Sequence, residues 1–145
     1  MIYPIRTVGD PVLRTKTKEV KEVTDKTRKL INNMFETMYD APGIGLAAPQ
    51  IGISKKVVVV DVEGDKYALI NPEIVEKQGA EIGEEGCLSI PGERDLVERS
   101  TYIKVRALDE NGKEIEVEAR DLLARALQHE IDHLDGVLFT DKTVK

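Results

Sequence analysis

The chain has no tryptophan, one cysteine, two histidines and only 4% aromatic residues among its 145. A single cysteine excludes an intramolecular disulfide, so no cystine framework holds this sequence together. Long hydrophobic runs are missing as well. No apolar run exceeds the four residues Val57–Val60, far short of the roughly 20 needed to cross a bilayer as a helix. Positive charge is in deficit, with 21 Lys and Arg against 27 Asp and Glu and a net charge of -6, which argues against a sequence-independent grip on nucleic acid or on an anionic membrane. No repeat, low-complexity tract or linker-like stretch of Pro, Gly and Ser divides the chain, so residues 1–145 read as one domain. Met1–Arg6 shows no basic region followed by an apolar stretch of signal-peptide length, which makes the cytoplasm the expected compartment.

What is present suits a folded α+β domain. At 41% hydrophobic residues the chain carries enough apolar material for a core, and at 16.2 kDa it is expected to bury about two-thirds of its surface. From Thr24 or Asp25, either able to cap a helix, apolar residues recur at Leu30, Ile31, Met34, Phe35, Met38 and Tyr39 until Pro42-Gly43, which predicts an amphipathic helix. Lys56 to Val62 reads as a buried strand, with Tyr67 to Ile70 as its hairpin partner across Glu63-Gly64-Asp65. Tyr102 to Leu108 and Lys113 to Glu118 alternate around Asn111-Gly112, the commonest pair for a tight hairpin turn. A last helix is predicted from Asp121, read as its N-cap, to Leu134, with Gly136 as the stop. Along it Leu123, Leu127, Ile131 and Leu134 form one stripe, while Leu122, Ala126, His129 and His133 share a neighbouring face. The expected architecture is antiparallel sheets and hairpins packed around this C-terminal helix, with an amphipathic helix nearer the N-terminus.

Both histidines of the chain lie inside His129-Glu130-Ile131-Asp132-His133, an H-E-x-x-H sequence within a predicted helix. Histidines at i and i+4 can converge on one metal ion. Glu130 is rotated about 100° from His129, so its carboxylate can reach a water on the ion without binding the ion itself. A catalytic site of this kind needs a third protein ligand, and the carboxylates after His133, Asp135 and Asp141, lack convincing spacing. Cys87, in Glu85-Gly86-Cys87-Leu88-Ser89, is the better candidate, since a thiolate with two imidazoles is a sound borderline-soft donor set. Two other readings use the same residues: a metallopeptidase of another type, or a module whose metal only staples the fold. Asp132 falls on a different side of the helix, either as a surface carboxylate or as the partner of Arg99 in a salt bridge that supports the site.

Three segments together resemble the peptide deformylase family: Gly43-Ile44-Gly45-Leu46-Ala47-Ala48-Pro49-Gln50, then Glu85-Gly86-Cys87-Leu88-Ser89, then Gln128-His129-Glu130-Ile131-Asp132-His133-Leu134. Weaker similarity at Asp10-Pro11-Val12-Leu13-Arg14 and Gly136-Val137-Leu138-Phe139 extends the match over nearly the whole chain. Members of that family remove the formyl group from N-terminal formylmethionine, releasing formate. Carried over by matched position, the resemblance implies that Cys87, His129 and His133 hold one divalent metal ion. It makes Glu130 the general base and acid for attack by a metal-bound water. The side-chain amide of Gln50 and the backbone N–H of Leu88 would then face the developing oxyanion. Fe2+ is the ion the family favours in the cell, with Zn2+, Ni2+ or Co2+ in isolated material.

By family position Ile44, Gly45, Leu88 and Leu122 are expected to contact the substrate, with Arg94 at the backbone or the rim. Arg125 stands where an apolar residue is often seen, and its guanidinium is expected to snorkel to water while its stem lines the methionine slot. The implied partners are N-formylmethionyl peptides and nascent chains, with transient ribosome association in the absence of the long C-terminal helix common in the family. The segment read as ending the chain is Asp141-Lys142-Thr143-Val144-Lys145.

Overall fold

A computed structural model describes residues 1–144; Lys145, the last residue of the segment read as ending the chain, lies outside them. Why Val57–Val60 is uninterrupted by polar residues becomes clear from the layers. β1 (Gly45–Ala47), β2 (Val57–Val62), β3 (Asp65–Gln78), β6 (Tyr102–Leu108) and β7 (Glu114–Arg120) form an antiparallel sheet in the order β1-β2-β3-β6-β7. Successive side chains of β2 point to opposite faces, and both faces are covered. Val57 and Val59 pack with Ile31, Met34, Phe35 and Met38 of α1 (Asp25–Asp40). Val58, Val60 and Val62 pack with Leu127, Ile131 and Leu134 of α2 (Asp121–Leu134). A strand buried on both sides reads as a continuous apolar run rather than as an alternation. The α1 residues named form an i, i+3, i+4, i+7 stripe, and Tyr39, expected to belong to it, instead lies half-exposed with its hydroxyl on Asp61.

Several boundaries differ from the sequence reading. β3 runs on to Gln78, well past the predicted Ile70, because register shifts between Ile70 and Glu73 and between Ile74 and Glu76 bend it from pairing with β2 to pairing with β6. The β6–β7 connection is not a two-residue Asn-Gly turn. Gly112 N–H donates to Asp109 O, and Asp109 pairs with Lys113, giving a four-residue turn ended by Gly112 at φ 79. The Asp109 carboxylate accepts from the Asn111 and Lys113 N–H groups, which favours the longer loop. The helix predicted to be capped by Asp121 is capped by Arg120, with Asp121 its first residue. A second, two-stranded sheet is new: β4 (Glu81–Cys87) and β5 (Ile90–Arg99) pair with each other and with no strand of the larger sheet. Their glycines and exposed carboxylates mask any strand pattern.

α2 ends where Gly136 was read as a stop, in a Schellman arrangement. Val137 N–H donates to Asp132 O and Gly136 N–H to His133 O, with Gly136 at φ 74. A Cβ there would lie 2.7 Å from the backbone oxygen of Arg14, leaving no flexible group to yield. Gly136→Ala is therefore expected to destabilise the protein by about 2 kcal/mol or more, read as a lower urea midpoint with an unchanged m-value.

Candidate active site

The loop into β1, the β4–β5 hairpin and α2 enclose one cavity of about 750 Å³. Ile44, Gly45, Gln50, Cys87, Leu88, Arg94, Leu122, Arg125, His129 and Glu130 all line it. His133, the remaining predicted site residue, is fully buried just behind it. Cys87 ends β4, and the histidines occupy successive turns of α2. His129 Nε2 and His133 Nε2 are 3.3 Å apart, Cys87 Sγ is 3.4 Å from His133 Nε2, and the three donor atoms lie within 4.8 Å of one another. Such spacing lets one ion be shared.

The other ring nitrogen of His129 decides which atom faces that point. Nδ1 is 2.9 Å from Glu85 Oε1, which holds the ring with Nε2 turned to the cluster, while Phe139 stacks against the ring. Burial alone would lower the His129 pKa, but hydrogen bonds to Cys87 and Glu85 outweigh it and carry it up to about 10. Burial and the charge on His129 push His133 down to about 3. His129 thus favours its charged form and His133 its neutral one, and a divalent cation held by both rings and the sulfur would require the ligating nitrogens free of protons. The donor set fits zinc, iron, nickel or cobalt.

Glu130 is buried and directed at the same cavity, and its Oε1 has no hydrogen-bond partner among the described residues. Burial pushes its carboxyl up to about 7, with the His129 charge pulling the other way. Gly45 makes room for it: a Cβ at position 45 would sit 2.6 Å from Glu130 Oε2. Gln50 is equally constrained. The Ala47 N–H donates to its Oε1, so the amide turns Nε2 toward Ser89 Oγ at 3.1 Å and Cys87 Sγ at 3.5 Å.

Arg125 corrects the sequence reading. Arg125 lines the cavity, and its guanidinium, instead of standing free in water, donates to Glu85 Oε2, Val97 O and Glu81 O on the hairpin. Glu85 has no role of its own in the sequence pattern. Glu85 accepts from Arg99 Nε and Nη2, from Arg125 and from His129, four bonds to one buried carboxylate. Burial pushes its pKa up, but the bonds from His129 and Arg99 bring it down to about 2. Its only signal in the sequence was its place two residues before Cys87. Asp132 is the Arg99 partner, at 2.6 Å, rather than a free surface carboxylate.

The family model described as polypeptide deformylase matches residues 2–145. A peptide deformylase of Halothermothrix orenii is 56% identical over 146 aligned residues, covering 99% of this chain and 95% of its own length. Another, from Clostridium botulinum, is 52% identical over 141 residues, covering 97% of this chain and 96% of its own. In three dimensions the crystal structure of peptide deformylase from Thermotoga maritima matches with a TM-score of 0.97 and 46% identity, over 100% of this chain and 99% of that one. The Synechococcus elongatus peptide deformylase in complex with actinonin matches with a TM-score of 0.96 and 47% identity, over 99% of this chain and 79% of that one.

Proposed function

The chain belongs to the peptide deformylase family, enzymes that take the N-formyl group from nascent peptides, and from that premise we propose that it does so as a metal-dependent hydrolase. In this reading Cys87, His129 and His133 hold one divalent cation, and Glu130 moves the protons. One juxtaposition carries the reading: three converging donor atoms beside a buried, unpartnered carboxylate on the wall of one cavity. A divalent cation held there would lower the pKa of a water molecule and polarise the formyl oxygen. Glu130 takes the proton of the attacking water and returns it to the departing amine. Gln50, its amide orientation set by Ala47, donates from Nε2 to the developing oxyanion together with the Leu88 N–H. Such a donor contributes about 2.7–4 kcal/mol of barrier lowering.

Ile44, Gly45, Leu88 and Leu122, with the stem of Arg125, form the apolar slot for methionine, and Arg94 stands at its rim. Ferrous iron is the proposed ion in the cell, and N-formylmethionyl peptides, met in the cytoplasm as nascent chains at the ribosome, are the proposed substrates. Residues 1–145 act as one catalytic unit. The test is formate release from formyl-Met-Ala-Ser under argon with ferrous iron supplied. Glu130→Gln is expected to lose about 10²-fold or more in rate while retaining its metal. No formate from the metal-loaded native protein would overturn the reading.

A further inference from the structure

The three proposed metal ligands come from two pieces of structure that share no sheet. Cys87 ends the β4–β5 hairpin, which pairs with no strand of the larger sheet and is bridged at Val97 to Thr143, whereas His129 and His133 belong to α2. Backbone bonds at Leu96 and Val97 and an apolar cluster around Ile90 and Val97 seat the hairpin, and side chains tie it directly to the helix. Gln128 pairs its amide with both backbone groups of Ser100, just beyond the hairpin, and Arg99 reaches from β5 to Asp132 on α2. Arg125 makes a third tie. From one helical turn before His129 it donates to Glu81 O and Glu85 Oε2 on β4 and to Val97 O on β5, so one guanidinium grips both strands. Its seat is cut to fit, since a Cβ at Gly83 would lie 3.1 Å from the Arg125 Cζ. Only the planar fork of arginine reaches three acceptors spread in this way. Charge also balances: Arg99 and Arg125 face Glu85 and Asp132.

We propose that Arg125 is a positioning residue that clamps the Cys87-bearing hairpin to the histidine-bearing helix and so holds the three metal donors together. It touches neither ion nor substrate backbone; it acts through Glu81, Val97 and Glu85. The proposal rests on the metal-site reading above. The test uses the whole chain loaded with Co2+, following both the thiolate-to-cobalt absorption band and the rate of cobalt release into excess chelator. Arg125→Met keeps an apolar stem without donors, and Arg125→Lys keeps one ammonium. Arg120→Met, at the start of the same helix, is the control. Cobalt is expected to leave Arg125→Met about 10-fold faster or more, with a perturbed thiolate band, and Arg125→Lys to fall between it and the native protein. Native release and a native band in both Arg125 variants, even with a lowered melting temperature, would overturn the proposal. If Arg125→Met fails to fold, Arg125→Lys against the control decides in the same way. A native protein that takes up no cobalt would overturn the metal-site reading, and the proposal with it.

Discussion

Replacing Glu85 by Gln is expected to destabilise the protein by about 3–5 kcal/mol and to weaken metal binding by about 10–100-fold. The reason is the number of groups that depend on one carboxylate. Arg99 and Arg125 both end on Glu85, as does the Nδ1 of His129. An amide of the same size keeps the volume but removes the charge on which Arg125 and buried Arg99 both end, and it turns an N–H toward a donor. Removing one partner of a buried ionic network costs more than the network contributes net, because the remaining charges stay out of water. Urea denaturation and a metal-competition titration read the two effects separately.

The sign of the pH dependence follows from the same site. Glu85 is held at about 2 against an ordinary 4.5, so the native state favours its ionised form. Its contribution to stability is fully present above pH 4.5 and is lost as pH falls from there through about 2. The Glu85→Gln variant should lack this part of the acid transition.

Gly45→Ala is expected to lower kcat/KM by about 10²-fold while leaving metal content native. A methyl at this position would come 2.6 Å from Glu130 Oε2, and the carboxylate has to move to accommodate it. Displacing a proton-transferring group by about 1 Å costs on the order of 10²-fold in rate. The metal donors stand apart from this contact, so one-to-one metal binding separates a shifted Glu130 from a collapsed site. The backbone tolerates the change, since Gly45 pairs with Val60 as an ordinary strand residue. Native kcat/KM in the Gly45→Ala enzyme would show that Glu130 is not held where its proton transfer requires.

Much of this could be read from the chain. The α1 stripe from Ile31 to Met38, the doubly covered Val57–Val60 and the alternating β6 and β7 are local patterns with periods of 3.6 or 2, and each formed where it was expected. His129 and His133 are four residues apart, so helical geometry alone brings their rings to one side. Other features were illegible because their causes lie far away in sequence. Ile82, Gly83, Glu84 and Gly86 carry no strand pattern; β4 forms because β5 pairs with it, and Glu85 turns inward because Arg99 and Arg125 meet it there.

Arg125 shows the division best. Helical periodicity puts its stem on the face that leads to His129, and that placement is correct. Where its guanidinium goes depends on acceptors 28 to 44 residues away at Val97, Glu85 and Glu81, so it ends on the hairpin rather than free in water. The ligand types, their helical spacing and the secondary elements that carry them arise from short-range geometry, which a sequence encodes residue by residue. The closeness of Cys87 to the histidines, the burial that lifts Glu130 and the clamp on the hairpin arise from long-range packing and desolvation. Those forces exist only once the sheet, the hairpin and the helix have come together.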